Sequence, residues 1–201
     1  ASDVYKRQGI KDTLYMTLTS TLIGYVIGLP MGILLTVTDK DGIHPNTAVY
    51  KVLDVIANLI RSVPFLILLI VLIPFTRFLI GRSYGPTATI VPLVIAAAPY
   101  IARMVESSLK EVDAGVIEAA RSMGASNFTI VTKVMLVEAR TSLIVGATIS
   151  LGTILGYSAM AGTVGGGGLG DIAIRYGYTR WQTDIMLSLI HISEPTRLAL
   201  I

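Results

Sequence analysis

Long uncharged stretches alternate with short charged ones along this chain. No Asp, Glu, Lys or Arg falls within residues 13–38, 62–76, 83–102 or 141–170. A bilayer crossing takes about 20 predominantly apolar residues, so the first, third and fourth stretches each supply a span. The second, Ser62–Thr76, is shorter, but Arg61 and Arg77 at its ends can snorkel outward. The fourth is longer than one span needs. Thr141 to Met160 predicts a helix, whereas Ala161–Gly170 is too glycine-rich for a helix interior. Residues 171–184 read as a surface segment, and a last helix begins near Ile185. The predicted fold is an all-α polytopic membrane protein, with four full transmembrane helices and the start of a fifth.

Within the first span, Gly24, Gly28, Pro30 and Gly32 break the run of large side chains. Small residues let helices approach closely, and proline is tolerated where neighbours satisfy the freed carbonyl; packing is favoured here over contact with a substrate. Residues 39–46 form a polar loop. An amphipathic helix follows near the interface, with Val49, Val52, Leu53, Ile56 and Ile60 on one face and Lys51, Asp54, Asn58 and Arg61 on the other. At the entrance to the second span, Arg61-Ser62-Val63-Pro64-Phe65 either shapes a polar cavity or anchors the helix end, and anchoring is favoured. Pro92 and Pro99 predict a kinked or partly unwound third span.

The segment 106–139 is charged and amphipathic, yet apolar spans flank it, so it lies outside the hydrocarbon. Leu109, Val112, Val116, Ala120 and Met123 recur at helical spacing and make one apolar face. Glu118 and Arg121 are spaced to pair, Gly124 is suited to a left-handed helix end, and Ser126 to capping the next helix. The result is a helix, a sharp turn and a second helix feeding the fourth span. It serves either as a docking lever for a partner or as a hairpin packed on its own bundle. Basic residues orient it. Residues 39–61 and 103–140 carry Lys40, Lys51, Arg61, Arg103, Lys110, Arg121, Lys133 and Arg140, against Arg77, Arg82, Arg175 and Arg180 on the opposite side. The positive-inside rule places the hairpin in the cytoplasm.

Composition agrees with a membrane protein and removes several chemistries. Hydrophobic residues make up 53% of the chain and charged ones 14%, where a soluble domain carries about 25% charged residues. With no cysteine, and only His44 and His191 as histidines, disulfides, thiolate sites and histidine-rich metal clusters are excluded. Gly165, Gly167 and Gly170 match a G-x-G-x-x-G pattern, but no strand precedes them and no βαβ unit surrounds them, so they are no nucleotide fingerprint. No G-x-x-x-x-G-K-[ST] loop occurs, no paired catalytic acids or H-E-x-x-H motif appear, and nothing points to nucleic acid. Neither a resident metal nor a cofactor is expected.

Glu118-Ala119-Ala120, Arg121 and Gly124, with Leu136 further on, resemble the EAA signature of permease subunits of ABC importers; Val134 stands where isoleucine is usual and Val137 where proline is. The resemblance implies that this loop docks into a separate ATPase. Gly156-Tyr157-Ser158-Ala159-Met160-Ala161-Gly162, the glycine run, Tyr176-Gly177-Tyr178, Ile73-Pro74-Phe75-Thr76-Arg77 and Ala98-Pro99-Tyr100-Ile101-Ala102-Arg103 are similar to the permeases of methionine-uptake ABC importers. That family implies a bacterial inner-membrane assembly of two permease copies, two cytoplasmic ATPase subunits and an extracytoplasmic methionine-binding lipoprotein. Tyr157, Ser158 and Met160 fall near the outer end of the fourth span as candidates for the translocation path. A flexible thioether at Met160 suits a gate or core packing equally. The alternative cargo is another amino acid or small solute. A channel or secondary transporter is disfavoured because spans one, three and four hold no ionisable group, and an enzyme because no catalytic constellation exists.

Both termini read as foreign. Asp3-Val4-Tyr5-Lys6-Arg7-Gln8 can be encoded by a string whose reverse complement encodes Leu187-Ser188-Leu189-Ile190-His191-Ile192. Such an inverted repeat resembles a transposon-end sequencing adapter. The expectation is native sequence over residues 9–186, with 1–8 and 187–201 as non-native tails, and recovery of the genomic locus tests it.

Overall fold

The protein is described by a computed structural model over residues 2–199; Ala1, Leu200 and Ile201, in the two suspected tails, lie outside the described residues. Helix α1 (Ser2–Thr38) contains the first span and runs unbroken through Pro30. After the 39–46 loop come α2 (Thr47–Ser62), α3 (Phe65–Val71), α4 (Ile73–Ile80) and α5 (Pro86–Lys110). The charged segment holds α6 (Ala114–Ser122), α7 (Asn127–Thr129), a π-helical turn (Ile130–Met135) and α8 (Leu136–Glu138). Helix α9 (Arg140–Ala161) is the fourth span. A 3₁₀ turn (Gly162–Val164), α10 (Gly168–Ile172), a second π-helical turn (Ala173–Tyr178) and α11 (Thr183–Ala199) complete the chain.

Among the described residues, Val4–Thr38, Pro86–Lys110 and Arg140–Val164 are helices long and apolar enough to cross a bilayer. The second span is broken. Helix α3 gives way to α4 at Leu72, two residues before Pro74, which has no N–H to continue the ladder. Pro92 and Pro99, by contrast, leave α5 helical from end to end. The expected unwinding does not occur there.

The chain divides into two units. One comprises Gly24–Ser62 and Ala98–Ala147, the other Val63–Ala97 with the portions up to Ile23 and from Thr148. In the first, α1 and α5 touch backbone to backbone. A Cβ on Gly28 would lie 2.7 Å from the Ala98 carbonyl oxygen, and one on Gly32 2.5 Å from that of Ala102. Only glycine permits this approach, which is how small residues join helices where burial from water supplies no drive. Leu35, Ile101, Val105, Leu109 and Ile130 fill this unit's core. Helix α2 leaves much of its apolar face uncovered and turns a polar residue inward. Val52 and Ile56 are exposed, while Asp54 turns toward α5.

In the second unit, Met16, Leu93, Ile154 and Ala161 are buried. The glycine run crosses the start of α5 on hydrogen bonds: Gly85 N–H donates to the Gly165 carbonyl at 2.9 Å and Thr89 Oγ1 to that of Gly166 at 3.3 Å. The Leu169 N–H donates to Thr13 Oγ1 on α1 at 2.9 Å. Inside the apolar helices, Thr21, Thr36 and Thr38 return their hydroxyls to carbonyls four residues back, so none faces hydrocarbon unpaired.

Candidate functional site

The charged segment folds as a capped hairpin. Asp113 is extended at φ −60° and ψ 130°, and its Oδ1 accepts the Gly115 N–H at 2.7 Å, which starts α6. At the other end the Ala125 N–H donates to the Ala120 carbonyl at 3.1 Å and the Gly124 N–H to that of Arg121 at 2.9 Å. These two bonds make a Schellman turn, whose left-handed residue is Gly124 at φ +80°. Ser126 Oγ then accepts the Thr129 N–H at 3.2 Å and caps α7. Chain direction therefore reverses within a few residues, between α5 and the run-in to α9.

The hairpin offers side chains that its own unit leaves uncovered. Ala120 is buried, whereas Glu118, Ala119 and Arg121 are exposed. Met123 is 81% exposed and Phe128 77%. Of the apolar face read from helical spacing, Leu109 and Ala120 are buried while Val116 and Met123 are exposed, Met123 because it caps α6 where the chain has already begun to turn. Phe128 was not singled out by sequence, although an aromatic two residues after a capping serine in a charged loop is a usable signal. Neighbouring exposed apolar groups of this kind mark an interaction surface.

The Glu118–Arg121 pair expected from spacing is not formed. The Arg121 guanidinium donates instead to the Ile43 carbonyl at 3.0 Å, tying α6 to the 39–46 loop. Between them lies a groove of about 600 Å³, lined by Asp39, Lys110, Ile117, Glu118 and Arg121 among others. On the side of α6 toward α9 a second hollow of about 560 Å³ is lined by Glu111, Asp113, Glu138 and Ser142 among others.

Behind α6 runs a ladder of alternating charge. Arg103, Glu106 and Lys110 occupy one face of α5 at helical spacing. Arg103 pairs with Asp54 of α2 and, at 2.7 Å, with Glu106. Lys110 Nζ stands 2.8 Å from Glu106 and 2.6 Å from Asp39 at the end of α1. The Arg103 guanidinium also donates to Asn58 Oδ1 at 3.0 Å, and the Tyr50 hydroxyl approaches Glu106 at 3.5 Å. Glu106 has a side chain only 6% exposed. A carboxylate so buried is sustained only by such partners.

Asp39 lies outside the spans, and the hydrogen bond from Lys110 holds its carboxyl below the usual aspartate range, against an opposing effect of burial. The folded value lies below the unfolded one of about 3.9. Asp39 therefore contributes stability that is complete above the unfolded value and lost as pH falls through the folded one. Thermal unfolding of the purified protein between about pH 6 and pH 3 is expected to show an acid-side loss that Asp39→Asn reduces. An unchanged acid limb in that variant would contradict the pairing.

The residues placed near the outer end of the fourth span do not share one environment. Tyr157 stacks on Phe65, with ring centroids 4.6 Å apart and planes 6° from parallel. Ser158 is buried; its hydroxyl donates to the Leu155 carbonyl at 2.7 Å and lies 3.5 Å from Thr17 Oγ1. Met160 is 46% exposed on α9. Arg61 is exposed, in keeping with an anchor. Among the described residues no group of three His, Asp or Glu is arranged to hold a metal ion.

Known proteins resemble this chain in sequence and in the arrangement of its helices. The family model of the binding-protein-dependent transport system inner membrane component matches residues 24–192. The probable D-methionine transport system permease protein MetI of Vibrio cholerae is 48% identical over 174 residues, 87% of this chain and 77% of that protein. Its Pasteurella multocida counterpart, of the same description, is 50% identical over 185 residues, 89% and 85% of the two chains. Among solved structures, the MetNI methionine ABC transporter in an inward-facing conformation superposes with a TM-score of 0.97 at 46% identity, over 99% of this chain and 92% of that one.

Proposed function

The chain belongs to the family of binding-protein-dependent transport system inner membrane components, and from that premise we propose that it forms the membrane path for methionine and is driven through the Glu118 hairpin by a separate ATPase. It is a multi-pass, all-α permease subunit of the inner membrane. ATP is hydrolysed by a partner and not by this chain, whose sequence has no phosphate-binding loop. Two copies of the chain, two ATPase subunits and an extracytoplasmic methionine-binding lipoprotein make up the proposed assembly.

The observation that carries the coupling role is the hairpin itself. A rigid, doubly capped turn between two spans leaves Glu118, Ala119, Met123 and Phe128 uncovered on the side that the basic residues assign to the cytoplasm. Closure of an ATPase dimer would draw two such hairpins together and move the spans attached to them. Ala120 and Gly124 shape the lever, and Arg121 fastens it to the 39–46 loop. Methionine as cargo is supported by the identity to D-methionine permeases. Met160, with Tyr157 and Ser158 beside it, is proposed to gate the path.

The test is uptake of labelled D- and L-methionine into proteoliposomes holding this chain with its ATPase, with binding protein added outside. ATP-dependent accumulation of methionine, competed by unlabelled methionine and not by other amino acids, is the expected result. Accumulation of another solute in preference would overturn the cargo. The same vesicles without ATP report the gate: Met160→Ala should raise the methionine leak, and an unchanged leak would assign Met160 to packing.

A further inference from the structure

We propose that the charge ladder Asp54–Arg103–Glu106–Lys110–Asp39 is the strut that carries displacement of α6 into the first span, with Glu106 as the positioning residue at its centre. This rests on the reading of α6 as the element the ATPase moves. Four connections make the mechanical case. Helix α6 follows α5 after only Glu111, Val112 and Asp113, and the turn is fixed by the Asp113 cap, so little motion is absorbed there. The Lys110 ammonium joins the end of α5 to Asp39 at the end of α1. Arg121 joins α6 to the Ile43 carbonyl in the loop that Asp39 begins. That loop in turn folds back onto α1, with the His44 N–H donating to the Val37 carbonyl at 3.0 Å and the Asn46 N–H to that of Thr38 at 2.9 Å.

These links close a ring through α6, α5, the end of α1 and the 39–46 loop. Glu106 sits where the ring meets α2. Its two oxygens take one cation each, Arg103 on Oε2 and Lys110 on Oε1, and each cation reaches a carboxylate on a different helix. Apolar residues of similar volume would hold helices together about as well, because buried ion pairs add little net stability. What the alternating charges add is register: sliding α5 by one turn would set like charges against each other. A strut needs that property and a hydrophobic contact lacks it.

The experiment measures methionine taken up per ATP hydrolysed by the assembled transporter in proteoliposomes, for wild type, Glu106→Gln, Glu106→Asp and Gly124→Val. Glu106→Gln keeps shape and leaves the Arg103–Asp54 and Lys110–Asp39 pairs in place, so assembly is retained. Its ATP hydrolysis is expected within about twofold of wild type, while uptake per ATP falls about tenfold. Glu106→Asp restores at least about half of the ratio, since it returns the charge. A Glu106→Gln ratio equal to wild type, or hydrolysis and uptake falling in step, overturns the strut. If Glu106→Gln does not assemble, Asp39→Asn at the α1 end of the ladder is read against the same criteria. Gly124→Val separates the two ideas: if it too leaves the ratio unchanged, the hairpin reading has failed, whereas uncoupling by Gly124→Val alone overturns only the strut.

Discussion

Valine at position 124 should all but stop uptake while ATP hydrolysis continues. Gly124 sits at φ +80°, where an L side chain costs about 1–2 kcal/mol and a β-branched one more. The turn relieves that strain by opening, which dissolves the two Schellman bonds and re-aims α6 relative to α7. An energy of about 1.4 kcal/mol already corresponds to tenfold, so a loss of uptake of about tenfold or more is expected. Asparagine visits the left-handed region readily, and Gly124→Asn should keep most of the activity. The check is the pair measured side by side in proteoliposomes. Equal behaviour of valine and asparagine would mean that backbone conformation at this turn is not what matters.

The other large effect is on folding. Replacing Arg103 with methionine leaves the buried Glu106 carboxylate without its shortest partner and takes from Asp54 the one ion pair it makes among the described residues. Breaking a buried pair from one side costs about 3–5 kcal/mol. The lower end applies, because Asp54 keeps a side chain 32% exposed and Lys110 continues to neutralise Glu106. For a chain of this size that is a fall in melting temperature on the order of 10 °C. Neutralising the carboxylates as well, in Asp54→Asn/Glu106→Gln/Arg103→Met, should recover much of it, since removing a whole cluster is far cheaper than orphaning half. Melting curves of detergent-purified protein decide it. If Arg103→Met melts with wild type, the ladder holds nothing together.

What sequence disclosed, and what it did not, divides along a physical line. Spans one, three and four were legible because charge is excluded from hydrocarbon, and that exclusion is written residue by residue. The hairpin was legible for the same local reason: Gly124 and Ser126 act through their own backbone within a few residues. The charge ladder was not, because it joins residues 39, 54 and 103–110, and a sequence does not announce which distant carboxylate an arginine will meet. Lys110 entered the sequence reading only as a topology signal, and Arg103 only as that and as the end of a family motif. Likewise Arg121 reached across to Ile43 rather than back to Glu118, a tertiary acceptor displacing a weak local one. Helix α2 marks another limit of the same kind. Its apolar and polar faces were legible from spacing, but which of them meets protein was not. Val52 and Ile56 are exposed, while Asp54 turns toward α5. Amphipathicity alone does not say which side is protein.

The most direct measurement uses the absence of cysteine from this chain, which makes any introduced thiol unique. Ala119→Cys, on the exposed face of α6, would be treated with a short bifunctional thiol reagent in membranes holding the ATPase with single cysteines around its permease-facing cleft. The expected result is a covalent adduct between the two polypeptides whose yield changes on adding ATP. An adduct formed only with a second copy of this chain, or none at all while the complex still purifies intact, would contradict the claim that α6 receives force from the ATPase.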